Sequence, residues 1–220
     1  MQRAALAGRR AVFGDDHPAV ADSLSSLGML LVEQGQAEAA QALLQEALDI
    51  QRRHFDASRL ALPTLNLGYA RHRAGDLAGA EQAYEEAVRL ARMQTSNRIL
   101  VGMTLLWLGR VQADSGRPAE AAPNLREALA LHDEVYGATN TWSIEVRILL
   151  ARAMLAQGHH AEAESLLLAV EPEPELAEAE HKAVMEALID VYAGWGREDE
   201  VRRYRTRLET LSAPAAKDES

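Results

Sequence analysis

The chain contains no cysteine, which excludes disulfide bridges and thiolate metal sites. It holds only two phenylalanines, and only two lysines against 21 arginines. There is no basic surplus either. A formal net charge of −10 is the wrong sign for a general nucleic-acid binder, which needs a basic face to neutralise phosphates. No apolar run approaches the ~18 residues that mark a membrane span. Residues 1–13 carry Arg3, Arg9 and Arg10 with no uninterrupted apolar stretch, a poor match to a signal peptide. The expected location is therefore the cytoplasm.

Chemistry-bearing motifs are missing as well. Gly194-Trp195-Gly196 is followed by Arg197, Glu198 and Asp199 and reads as a helix end, not a phosphate-cradling loop. No Gly-x-Ser-x-Gly elbow occurs. His159 and His160, with Glu162 and Glu164 nearby, fall in a turn where adjacent side chains diverge, whereas metal ligands must converge. The other histidines share no spacing. Glu85, Glu86 and the acidic run at 198–200 are exposed by periodicity, and burial is what would tune a catalytic carboxylate. Neither an enzyme nor a cofactor or metal site is expected.

What the chain does have is a repeat. Gly35, Gly75, Gly116, Gly158 and Gly196 recur at intervals of 40, 41, 42 and 38 residues. Eight positions before each stands a leucine: Leu27, Leu67, Leu108, Leu150 and Leu188. Seven before come Gly28, Gly68, Gly109, Ala151 and Ile189; five after come Ala40, Ala80, Ala121, Ala163 and Val201. A period near 40 means stacked copies of one supersecondary unit. With 48% apolar residues and a bias towards strong helix formers, such a stack can bury a continuous core.

Each period divides into two helical patterns around its glycine, which supplies the left-handed backbone that ends a helix. The expected helices are 18–34 and 37–53, 60–74 and 77–93, 99–115 and 118–135, 141–157 and 160–170, and 176–194 and 197–211. A short loop inside each pair forces the helices antiparallel. Pro118 suits a first helical turn, but Pro123 predicts a bend or a delayed start in 118–135. Pro63 predicts a late start for 60–74. Residues 2–13 read as the second helix of a repeat whose first helix is absent, and Gly14-Asp15-Asp16-His17-Pro18 as a turn with a carboxylate cap. Glu171-Pro172-Glu173-Pro174-Glu175 reads as an extended acidic joint, and 212–220 as a disordered tail. The organisation is thus a half repeat at 1–14, repeats at about 18–56, 57–96, 97–138, 139–174 and 175–211 within an array spanning 15–211, then the tail.

At these columns the sequence resembles the tetratricopeptide repeat (TPR) family. The best single copy runs from Pro63 to Arg92, with Asn66-Leu67-Gly68, Gly75-Asp76, Ala80, Tyr84 and Ala87 in the family pattern. The longer spacing and the turn from Gly14 to Ala21 look like the kinesin-light-chain type, common in bacterial signalling proteins. The resemblance implies an all-α fold, an α-α superhelix (TPR solenoid) of about five helix pairs preceded by a half repeat. Its concave face is lined by the first helix of each pair. Residues just outside the packing columns should face that groove: Ser25, Met29, Leu65, Tyr69, His72, Arg73, Leu106, Arg110, Ile148 and Arg152, with Glu186 and Asp190 making its far end acidic. Trp107 lies beside the packing columns and should be partly exposed, while Trp142 and Trp195 should pack at helix ends.

The expected function is a scaffold that binds a protein or peptide with apolar anchors and acidic groups, the arginines recognising carboxylates through forked hydrogen bonds. Nucleic acid and membrane are not expected partners. A carboxylate clamp for chaperone C-termini, which the resemblance also brings to mind, needs lysines and asparagines, and only Asn66 stands in these columns. The alternative function is the regulatory TPR region of a larger bacterial signalling enzyme, most plausibly a serine/threonine kinase with its catalytic domain upstream. The apolar face left open by the half repeat invites self-association.

Overall fold

The computed structural model describes residues 2–94, 97–171, 173 and 176–212. Among these residues all regular structure is helical: eleven α-helices and one short 3-10 turn at Ala57–Arg59. In chain order the helices are α1 (Gln2–Phe13), α2 (Pro18–Glu33), α3 (Ala37–His54), α4 (Ala61–Arg73), α5 (Leu77–Arg92), α6 (Arg98–Asp114), α7 (Pro118–Tyr136), α8 (Thr141–Ala156), α9 (His160–Leu168), α10 (Glu178–Trp195) and α11 (Glu198–Ser212). They fall into two compact units, Met1–Gly116 and Arg117–Ser220, so the division lies inside the third repeat.

Both units are built alike. The first opens on α1, adds the pairs α2/α3 and α4/α5, and closes with α6; each helix packs on the next, and α4 also touches α2 and α6. The second opens on α7 and adds the pairs α8/α9 and α10/α11, with α10 also packed on α8. This pattern of antiparallel pairs in single file is the TPR-like fold.

The repeating glycines end helices as their spacing predicts. Gly35 has φ +76°, which an L side chain rarely adopts, and it sets up two bonds that close the helix end. Its own N–H donates to Val32 O at 3.0 Å, and the N–H of Gln36 reaches back to Leu31 O at 2.8 Å. The backward bond recurs from Asp76 to Arg71, His159 to Met154 and Arg197 to Tyr192.

Small residues in the columns seven before the glycines answer to close approach. A Cβ on Gly28 would stand 2.7 Å from Leu44 Cγ, and one on Gly68 would stand 2.7 Å from the Tyr84 ring. Gly68→Ala is therefore expected to destabilise by about 1–3 kcal/mol from overpacking, outweighing the ~1 kcal/mol gained in helix propensity. The midpoint of urea unfolding measures it, and an unchanged or raised midpoint would show that Tyr84 yields freely.

Several local expectations need correction. The cap of α2 is His17 and not a carboxylate: its Nδ1 accepts from the Ala19 N–H at 3.1 Å, while Asp16 is drawn off to Arg53 at 2.7 Å. The helix bearing Pro63 does not start late. It begins at Ala61, so Pro63 lies in the first turn, where a missing N–H costs nothing. Nor is the start of α7 delayed, since one continuous helix runs from Pro118 through the exposed Pro123. Glu171 is not part of an extended joint: it is buried, its N–H donates to Leu167 O, and its carboxylate pairs with Arg207. Pro172, Pro174 and Glu175 lie outside the described residues. So does the expected tail beyond Ser212, which itself closes α11.

The half repeat at the start forms as expected, but it contributes little core. Of α1 only Leu6 is buried, while Val12 is 74% and Phe13 51% exposed. Leu6 packs on Val20, Leu24 and Ile50, and polar contacts add to it: Arg9 donates to Ser23, and Arg10 reaches Glu46 at 2.5 Å. Similar links join successive second helices. Arg52 meets Glu86 at 3.5 Å, Arg126 meets Glu162 at 2.6 Å, and Arg207 of α11 meets Glu171 in the turn that follows α9. Where both partners are well exposed such a link contributes about 0–1 kcal/mol, whereas Arg207 meets a buried carboxylate.

Candidate functional site

In the first unit, two successive first helices make one concavity of about 420 Å³, lined by Tyr69, His72 and Arg73 of α4 and by Trp107, Arg110 and Asp114 of α6. Spacings of three and four residues put each trio on one helical face. Leucines and alanines on the opposite faces anchor both helices, so the polar side chains are left at the open edge.

The aromatic rings form a continuous floor. Tyr69 meets Trp107 edge to face at a centroid distance of 4.8 Å, and the buried Tyr84 of α5 stacks under Trp107 at 6.2 Å. His72 stands edge-on to both Tyr84 and Trp107, at 6.2 and 6.4 Å. The guanidinium of Arg73 lies 5.8 Å from the Tyr69 ring and its Nη1–H donates to the Tyr69 hydroxyl at 3.0 Å. The Arg110 guanidinium lies 5.5 Å from the Trp107 ring. Ring contacts of this kind hold a guanidinium in place at the edge of the concavity.

Charge in the concavity is mixed. The His72 Nε2–H donates to Asp114 Oδ2 at 2.9 Å. Burial holds the imidazole below its usual pKa; Asp114 pulls the other way, while Arg110 and Arg73 add to the depression. His72 is therefore neutral at physiological pH.

The ten residues expected to face a groove divide into groups. Tyr69, His72, Arg73 and Arg110 come together in the concavity. Leu65 and Leu106 do not line it: they are 4% and 1% exposed, because α4 packs against neighbouring first helices as well as its own partner, and that contact takes up the apolar residue at the rim. Met29 is half-buried and packs on the core cluster around Leu31 and Leu44, filling a gap between helices, and Ser25 is half-buried on the same helix. In the second unit Ile148 is half-buried on α8, and the exposed Arg152 lies 3.7 Å from Asp190, in a pair too open to be strong.

Trp107 is partly buried as expected, but its role as floor was not anticipated, and Asp114 was missed. Both could have been found by extending the face of Arg110 three residues back and four forward. Trp142 is at a helix end but is 43% exposed, whereas Trp195 is covered by His160 on one side and by Arg197, 3.6 Å from its ring. That engagement with Trp195 is how His160 is used. Among the described residues no three His, Asp or Glu side chains converge as a metal site requires, and no helix is long and apolar enough to cross a membrane.

Comparison with known proteins gives the following. The model of the MalT-like TPR region family matches residues 10–208. Curated proteins give no match. Among solved structures, the TPR-like repeats of a Podosopora anserina chain assigned as a kinesin light chain superpose with a TM-score of 0.82 at 20% identity, covering 92% of this chain and 99% of that one. BtubC (BKLC) from P. vanneervenii gives 0.79 at 16% identity, covering 100% and 93%. YrrB, described as a TPR protein with an unusual peptide-binding site, gives 0.62 at 19% identity, covering 94% and 92%. At such identities the likeness is one of fold.

Proposed function

Because the chain belongs to the MalT-like TPR region family, we propose that it is a non-catalytic scaffold whose first unit binds a protein or peptide segment presenting an apolar side chain and a carboxylate. Binding partners along the first helices of the pairs is what the TPR fold does in general, and the proposal places that use at one concavity. The carrying observation is the meeting of Tyr69, His72, Arg73 and Arg110 in a single hollow floored by Trp107. An apolar anchor gains area against the Tyr69 and Trp107 rings. A carboxylate gains charge-assisted hydrogen bonds from Arg73 and Arg110, stronger than neutral ones and selective for planar anions. The peptide-binding site ascribed to YrrB, a structural neighbour, is in keeping with this use.

Calorimetric titration with acetyl-Ala-Leu-Asp-Leu-Glu-Ala-amide, against its Asn/Gln counterpart, tests the reading. The acidic peptide should bind and the amide peptide should bind at least tenfold more weakly. The double variant Arg73→Glu with Arg110→Glu should lose a further factor of ten or more, about 1.4 kcal/mol per decade. Full affinity in that variant would sink the proposal.

A further inference from the structure

We propose that His72 and Asp114 couple occupancy of this concavity to proton uptake, so that a carboxylate-bearing segment is held more tightly as pH falls from neutrality. The inference rests on the concavity being the binding site, and it assigns a form of regulation to it.

His72 is the one imidazole among the side chains lining the concavity. Its neighbours are set from three helices: Tyr69 and Arg73 on its own α4, Tyr84 on α5, and Trp107, Arg110 and Asp114 on α6. The imidazole is only 11% exposed, so its charge is felt at short range, whereas Asp114 is about half exposed at 48%.

In the open site a neutral imidazole leaves the Asp114 carboxylate carrying a full negative charge beside the arginines. An incoming carboxylate then meets that negative charge within the same concavity. Protonating His72 changes the sum: the imidazolium offsets the Asp114 charge, so an incoming carboxylate meets a concavity one unit more positive.

The direction follows from linkage. A bound anion raises the pKa of a nearby imidazole, so the bound state takes up a proton that the free state lacks. Affinity then rises as pH drops through the pKa of the bound state, and it levels off below the lower pKa of the free state. For one proton the gain cannot exceed tenfold per pH unit, and reciprocity requires that ligand binding itself draw protons from the buffer.

The test is calorimetric titration of the full chain with the same acidic peptide between pH 7.5 and 5.5, a range in which Asp and Glu stay largely ionised. Buffers of different ionisation enthalpy report the protons taken up. Wild-type protein should bind about three- to tenfold more tightly at the acidic end, with net proton uptake on binding. The variant His72→Gln keeps a donor for Asp114 but cannot accept a proton, so its affinity should be flat within about twofold.

A second variant, Asp114→Asn, is half exposed and structurally mild. It should tighten binding at pH 7.5 by removing the competing anion, and weaker binding would count against the coupling. Equal slopes in wild type and His72→Gln, or no slope in wild type, would overturn the inference while leaving the site standing. Absence of binding at every pH would instead remove the site, and the coupling with it.

Discussion

Replacing Tyr84 by alanine is expected to lower the unfolding free energy by about 3–5 kcal/mol, whereas Tyr84→Phe should change it by less than about 1 kcal/mol. Tyr84 is fully buried on α5 opposite Gly68, and its ring stacks beneath Trp107. Truncation removes the ring from a site with rigid walls, because helix backbones stand on both sides and close in only partly. The phenol hydroxyl is another matter. It is buried with no hydrogen-bond partner, and burial pushes its pKa up, so it stays protonated and carries an unmet polar group. Deleting that oxygen restores an apolar surface at little cost. Urea unfolding followed by fluorescence provides the comparison, with Trp107 as a reporter beside the lesion. A Phe variant as damaged as the Ala variant would mean that the hydroxyl, and not the ring, holds the pair together.

The second large effect concerns charge in the second unit. Arg147 on α8 donates to Asp133 of α7 at 2.6 Å, with side-chain exposures of 7% and 30%. A single substitution, Arg147→Met, is expected to cost about 3 kcal/mol, near the lower end for breaking a buried pair because Asp133 keeps some contact with water. The double variant Arg147→Met with Asp133→Leu should recover most of that loss, since attraction between buried charges barely exceeds their desolvation. The pair is imperfect already: Asp133 Oδ1, Arg147 Nε and the nearby Ser143 hydroxyl are buried without partners. A double-mutant cycle by chemical denaturation distinguishes the cases. A double variant as unstable as the single one would show that the ion pair itself stabilises the α7–α8 contact.

Much of the fold was legible in the sequence because its signals are local. A glycine that must take positive φ, such as Gly35 or Gly75, marks a helix end wherever it occurs. A small residue such as Gly68 marks a close approach even before its opposite number, Tyr84, is known. What failed was local competition and neighbour packing. At the start of α2 the imidazole of His17 won the capping position over Asp15 and Asp16, because Asp16 was taken by Arg53 from a distant helix. Pro123 was accommodated inside a continuous helix, exposed at the surface.

The candidate site was half readable for the same reason. Periodicity alone places Tyr69, His72, Arg73 and Arg110 on the outer faces of their helices. It cannot tell that Leu65 and Leu106, one step round the cylinder, are swallowed by contact between successive first helices. Periodicity does set Trp107 and Asp114 on the face of Arg110, but that they close a hollow with α4 depends on how far apart α4 and α6 are held.

The links between second helices carry a further meaning. Glu46 and Glu86 each stand eleven residues after their repeat glycine, and each receives an arginine from the helix two before its own, Arg10 of α1 and Arg52 of α3. Arg207 occupies that same column, eleven after Gly196, and there the sign is inverted, with Glu171 upstream supplying the anion. Moved into an earlier slot, the terminal hairpin would bring Arg207 near Arg10 or Arg52, cation against cation, a small penalty. Single charges, most of them exposed, thus bias the order in which these otherwise kindred modules stack without fixing it.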